Sequence, residues 1–206
     1  KQRLVMKELK KLIYVRNVLW RMLMENKDVI IEMLKSVNRP GIKELISYIE
    51  NSDFFEAPAS SKYHLAEEGG LAKHSLNVYY NLIKLCVNLD ISNETIIIIS
   101  LLHDICKTNC YKKSVKNIQN KEGKWIPTQT YILNDELPLG HGEKSVMIIQ
   151  KFIKLTDDEI MAIRWHMGGF VSKEEQMYVS KAFNKSGLVV LLHIADLMAT
   201  YIDERV

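Results

Sequence analysis

Between Thr95 and Lys107 the chain reads TIIIISLLHDICK, an apolar run that predicts one buried helix, yet it carries His103 and Asp104 side by side in its middle. Burying an imidazole and a carboxylate is costly unless each is hydrogen-bonded, paired or bound to a metal. Two arrangements meet that condition. Either the dipeptide closes on itself as a polar pair in a helical core, or it is half of a metal site whose other ligands come from elsewhere in the chain. Any fold for this sequence must bury this segment and bring partners to it.

The surrounding pattern is helical. Apolar residues at Leu4, Val5, Leu9, Leu12, Ile13, Val18, Leu19 and Leu23 predict a long amphipathic helix over 2–25. A short helix over 28–37 is ended by NRPG, where Pro40 and Gly41 punctuate the chain before IKELISYIE opens the next. A loop-like stretch, NSDFFEAPASSKYHLAEEGG, follows, and helices resume over 71–89. The apolar run takes Ser92 or Asn93 as its N-cap. Thr156 and Glu159 form a capping box for LTDDEIMAIRWH, Ser172 and Glu175 predict a second for VSKEEQMYVSKAF, and the last helix spans 187–203. The exception is 111–138, where Val115, Ile118, a polar NKEG turn, Trp125, Ile126, Tyr131 and Ile132 predict a β-hairpin inserted between helices. The expected fold class is therefore all-α with a small inserted β-hairpin. Residues 1–52 read as an amino-terminal helical extension and 53–206 as the main domain.

Composition narrows the class. The 206 residues are 47% hydrophobic and 26% charged, as in ordinary helix-rich globular chains. Residues 1–50 hold 11 basic and 6 acidic side chains against 17 and 19 in the remainder. The mild amino-terminal surplus suits a solvated helix face better than an anionic partner. Cys86, Cys106 and Cys110 make no C-x-x-C pair, so a reducing cytoplasm is the expected compartment. The longest apolar stretches, TIIIISLL and LVVLLHIADLMA, fall short of a membrane span, and no secretory signal pattern is present.

Six histidines carry the chemical signal: His64, His74, His103, His141, His166 and His193. Each alone reads as a satisfied core or surface residue. Five of them on or at the ends of predicted buried helices, together with Asp104 and Asp196, form a ligand set suited to Zn, Mn, Fe, Ni and Co, and a helical bundle can aim them at one internal point.

In order along the chain, GGLAKHS, LLHDICK, GHGEKS, RWHMGG and LLHIADLM resemble the successive motifs of the HD-domain superfamily of metal-dependent phosphohydrolases, over roughly residues 55–203. The resemblance implies a helical HD-domain bundle with His74, His103, Asp104 and Asp196 as ligands of a primary metal. His141 and His166 match the ligands added in two-metal members, with Asp104 bridging. The implied cofactor is one or two divalent ions (Mn, Fe, Mg, Co, Ni or Zn), and the implied reaction is hydrolysis of a phosphate ester of a nucleotide or oligonucleotide through a metal-activated water. Asp104 and Lys107 are the implied catalytic residues.

Lys107 stands four residues after His103 on the same helix face. There it either meets a phosphate oxygen, as the resemblance implies, or complements a helix carboxy terminus. His64 contacts substrate or caps its loop, and Arg164 is a candidate phosphate contact. His193 orients Asp196 or belongs to the core. Cys106 stands where the motif usually has Gly. It opens a rival reading in which His103, Cys106 and Cys110 hold a structural zinc. A non-catalytic nucleotide- or metal-binding regulatory module is the alternative to an enzyme. The amino-terminal helices read as packing or homodimerisation elements, and no membrane partner is expected.

Overall fold

Local signals set most element boundaries in a computed structural model that describes residues 25–205. The helix expected over 2–25 lies outside them. Helices α1 (Asn26–Lys35) and α2 (Ile42–Asn51) flank the NRPG turn. Gly41 there has φ +87°, and a side chain would collide with the Phe152 carbonyl, so glycine is required twice over. α3 spans Gly70–Leu85 and α4 Asn93–Leu102, the latter capped by Ser92 Oγ, which accepts from the Thr95 amide at 3.1 Å.

A single 3₁₀ turn, Ile105–Lys107, leads into the antiparallel hairpin of β1 (Tyr111–Gln119) and β2 (Trp125–Leu133). Its register pairs Tyr111 with Leu133 and Gln119 with Trp125. Asn120 Oδ1 closes the turn by accepting from the amides of Glu122 and Lys124. The ladder ends at Leu133, five residues short of the expected limit. Val115, Ile118, Trp125 and Ile132 are exposed, and Tyr131 is the buried residue of the ribbon, so the hairpin projects from the bundle rather than building its core.

The bundle is completed by α5 (His141–Gln150), α6 (Asp157–Trp165), α7 (Gln176–Lys185) and α8 (Gly187–Met198), which runs on into a π-helical turn at Ala199–Asp203. The Thr156–Glu159 capping box is present at α6. The second expected box is not at a helix start. Glu175 does accept from the Ser172 amide and hydroxyl, but these bonds close a separate turn and α7 begins after it, at Gln176.

One continuous core joins α1 to α6 and α8, with α3 packed on α4 and α8, and α6 on α5 and α8. Ile30, Leu34, Leu45 and Ile49 of α1 and α2 belong to that same core. Among the described residues no single helix is long and apolar enough to cross a membrane.

Candidate metal centre

The apolar run does not carry His103 and Asp104 in mid-helix. α4 ends at Leu102, His103 caps it, and Asp104 adopts φ −107°, ψ 15° before the 3₁₀ turn. The cause is local. His103 Nδ1 donates to the Ser100 carbonyl at 2.8 Å, and the Lys107 and Thr108 amides bond three residues back to Asp104 and Ile105. The tighter turn changes the neighbour of Lys107, whose Nζ lies 2.6 Å from Asp104 Oδ2 instead of stacking a turn beyond His103.

Around Asp104 four imidazoles converge from four elements. His74 comes from α3, His103 from the end of α4, His141 from the first residue of α5 and His166 from the end of α6. His141 Nε2 stands 2.6 Å and His166 Nε2 3.5 Å from Asp104 Oδ1, with His103 Nε2 3.5 Å and His74 Nε2 3.8 Å from Oδ2. Asp196 of α8 adds a carboxylate 3.2 Å from His74 Nε2.

The opposite ring nitrogens are anchored outward. His74 Nδ1 donates to Glu204, His103 Nδ1 to the Ser100 carbonyl and His166 Nδ1 to the Ile163 carbonyl, while His141 Nδ1 lies 3.2 Å from Cys106 Sγ. Anchoring Nδ1 sets the tautomer and leaves Nε2 as the nitrogen offered inward, the arrangement typical of metal-ligating histidines.

These residues fit a divalent ion. His103 is fully buried and its Nε2 has no hydrogen-bond partner, an unsatisfied group that a cation would complete. Burial also pushes its pKa down to about 3. Four overlapping groups have ligand atoms within 4.8 Å of one another: His74, His103 and Asp104; His103, His166 and Asp196; Asp104, His141 and His166; and His64, His74 and Glu204. Together they contain the six expected ligands.

The electrostatics is that of a site holding negative charge. Burial works against the Asp104 carboxylate, but Lys107, His103 and His141 hold it well below the usual range. Burial likewise opposes charge on His74, yet Asp196 and Glu204 raise it to about 9.

The centre forms the floor of a cavity of about 660 Å³. Lys107 and His64 line it, and His64 Nε2 is buried there without a partner. Its wall is aromatic: Tyr63, Tyr111, Phe170 and Tyr201 come from four separate segments, and Tyr63, Phe170 and Tyr201 are 83%, 67% and 59% exposed.

Two expected roles are redirected. Arg164 is held by Glu143 and Glu175, stacks 3.7 Å over the Trp165 ring and lines a neighbouring pocket rather than this cavity. His193 does line the cavity, but its Nδ1 donates to the His166 carbonyl at 2.6 Å, so it braces the α6 terminus instead of orienting Asp196. The rival zinc site does not assemble. Cys110 donates to the Cys106 carbonyl and accepts from Lys144, and among the described residues no candidate metal group includes a cysteine.

Glu204 is the residue that sequence reasoning missed. It is buried and accepts from both His74 Nδ1 and Asn77 Nδ2. Its one cue is an acidic residue two turns beyond Asp196.

The HD domain family model matches residues 71–200, which holds every one of the six converging ligands. No curated protein and no solved structure matches the sequence.

Proposed function

The chain belongs to the HD domain family, and on that premise we propose that it is a metal-dependent phosphohydrolase acting on a phosphate ester of a nucleotide or oligonucleotide. The observation that carries this reading is the convergence of four anchored imidazoles and two carboxylates, of which His74, Asp104, His141 and Asp196 line an open cavity. A site built only for stability would close over its ion.

His74, His103, Asp104 and Asp196 would hold a first ion, and His141 and His166 with Asp104 a second. A divalent ion held there supplies Lewis acidity, polarising a phosphoryl oxygen and lowering the pKa of water towards neutrality. The chain's own groups do the rest. Lys107, 2.6 Å from Asp104, presents an ammonium to a phosphoryl oxygen placed above the centre. His64 offers an unpaired ring nitrogen beside His74, their ring centroids 4.9 Å apart, where it can bond a second oxygen of the ester. The aromatic wall supports the choice of nucleotide. Exposed rings around an otherwise polar floor are suited to stacking a flat heterocycle, which a sugar phosphate or an inorganic polyphosphate lacks.

The test is hydrolysis by purified protein with Mn²⁺, Mg²⁺, Co²⁺ or Ni²⁺ against p-nitrophenyl phosphate, bis-p-nitrophenyl phosphate, mononucleotides and short oligonucleotides. Metal-dependent phosphate or nucleotide release that Asp104→Ala abolishes supports the reading. Absence of hydrolysis with every metal, or activity indifferent to Asp104→Ala, overturns it.

A further inference from the structure

The end of α8 does not finish as an ordinary helix. At Ala199–Asp203 it widens into a π turn, closed by the Glu204 amide donating to the Ala199 carbonyl at 3.0 Å. A π turn advances each residue by a smaller angle than an α turn, so it rotates Glu204 back towards the face that carries Asp196. Tyr201, Ile202 and Asp203 stay exposed while Glu204 is only 6% exposed. Such local widenings persist where a side chain must be aimed.

The aim is at α3. The Glu204 carboxylate receives His74 Nδ1 at 3.1 Å from each oxygen and Asn77 Nδ2 at 2.8 Å on Oε1. One turn further along α3, Asn81 Nδ2 donates to Asp203 at 2.7 Å. The segment is thus a strap over α3 with two acidic contacts, one on a ligand histidine and one remote from it. Among the imidazoles around Asp104, His103 and His166 anchor Nδ1 on carbonyl oxygens, and His74 anchors on a full carboxylate. A carboxylate makes the opposite nitrogen the more basic donor and fixes the ring plane.

We infer that Glu204, beyond the span matched by the family model, is a positioning residue that sets the tautomer and basicity of His74 as a metal ligand. The inference rests on the metal-binding reading of the site. It assigns to the strap a chemical task that packing alone would not require.

The test is titration of the metal-free protein with Mn²⁺, followed by calorimetry, for wild type, Glu204→Ala, Glu204→Gln and Asp203→Ala. The d–d absorption of the Co²⁺-loaded proteins is recorded as a second readout, and thermal melting of each metal-free variant reports the fold. Glu204→Ala is expected to weaken Mn²⁺ binding roughly 10- to 100-fold and to shift the Co²⁺ bands. Glu204→Gln keeps an acceptor for Nδ1 without the charge, fills the same space, and is expected to fall between alanine and wild type. Asp203→Ala, which loosens the same strap away from His74, is expected to bind as wild type does.

Wild-type affinity in both Glu204 variants, or an equal loss in Asp203→Ala, overturns the inference while leaving the metal centre standing. If Glu204→Ala does not fold, Glu204→Gln decides by the same criterion. A wild type that binds no divalent ion removes the centre and the inference with it.

Discussion

Arg39 closes a two-pronged bridge on Glu159 across 120 positions of sequence, Nη1 to Oε2 at 2.8 Å and Nη2 to Oε1 at 2.7 Å. The carboxylate is fully buried and also receives the Thr95 hydroxyl and the Thr156 amide, so the turn after α1, the first turn of α4 and the start of α6 meet at one charge. Removing the guanidinium leaves that charge uncompensated. Arg39→Ala is expected to destabilise the fold by about 3 kcal/mol, read from urea unfolding followed by circular dichroism.

The same pair sets an acid limit. Burial raises the pKa of Glu159, but the Arg39 guanidinium, the Thr156 amide and the Thr95 hydroxyl outweigh it and hold the carboxyl below its ordinary 4.5. A carboxyl depressed in the folded state contributes stability that is complete above the unfolded value and is lost as pH falls through the folded one. Melting temperature should therefore hold steady from neutral pH to about 5 and drop below about 4.5 on this account. In Glu159→Gln this component of the acid limb should be absent. An unchanged acid limb in that variant would contradict the assignment.

Gly142 follows His141 at the point where α5 meets α6, and a Cβ there would collide with the backbone carbonyl of Arg164. Both sides of that contact are backbone, so neither can yield by a rotamer change. Gly142→Ala is expected to push α5 off α6, lowering the melting temperature and, by displacing His141, hydrolysis as well. Gly169, with open space at its Cβ position, provides the control, since Gly169→Ala should leave both unaltered.

Lys107 offers a separable test of charge at the cavity floor. Lys107→Met keeps the length of the stem and removes the ammonium. The expected loss in kcat/KM is on the order of 100-fold, with Lys107→Arg recovering part of it. Equal activity in Lys107→Met and wild type would remove the residue from the machinery.

The aromatic wall predicts a substrate-dependent effect. Phe170→Leu and Tyr201→Leu should weaken binding of a nucleotide by about 1–3 kcal/mol, seen as a higher KM, and leave turnover of methyl phosphate alone. A uniform loss on both substrates would argue that the rings serve the fold instead.

Much of the helical order was legible because its signals are local: Ser92, the Thr156–Glu159 box and the Gly41 turn act within a few residues. The hairpin was legible from its NKEG turn and the alternation around it, though not its end at Leu133. The converging histidines were legible as a set because buried imidazoles in ordered motifs have few other uses. What was not legible depends on tertiary contact or on a break in helical period. The 3₁₀ turn after His103 moved Lys107 onto Asp104, and the π turn brought Glu204 to His74. Arg164 was claimed by Glu143 and Glu175, two acids on other segments that no local spacing connects to it.

Metal content of purified protein after equilibrium dialysis against Mn²⁺, with Asp104→Ala as its partner, decides whether the residues around Asp104 form a metal centre. Wild type is expected to hold at least one ion per chain tightly, and a folded Asp104→Ala to have lost it. A wild type without stoichiometric metal, or an Asp104→Ala variant that retains it, would mean that no metal centre is built around Asp104.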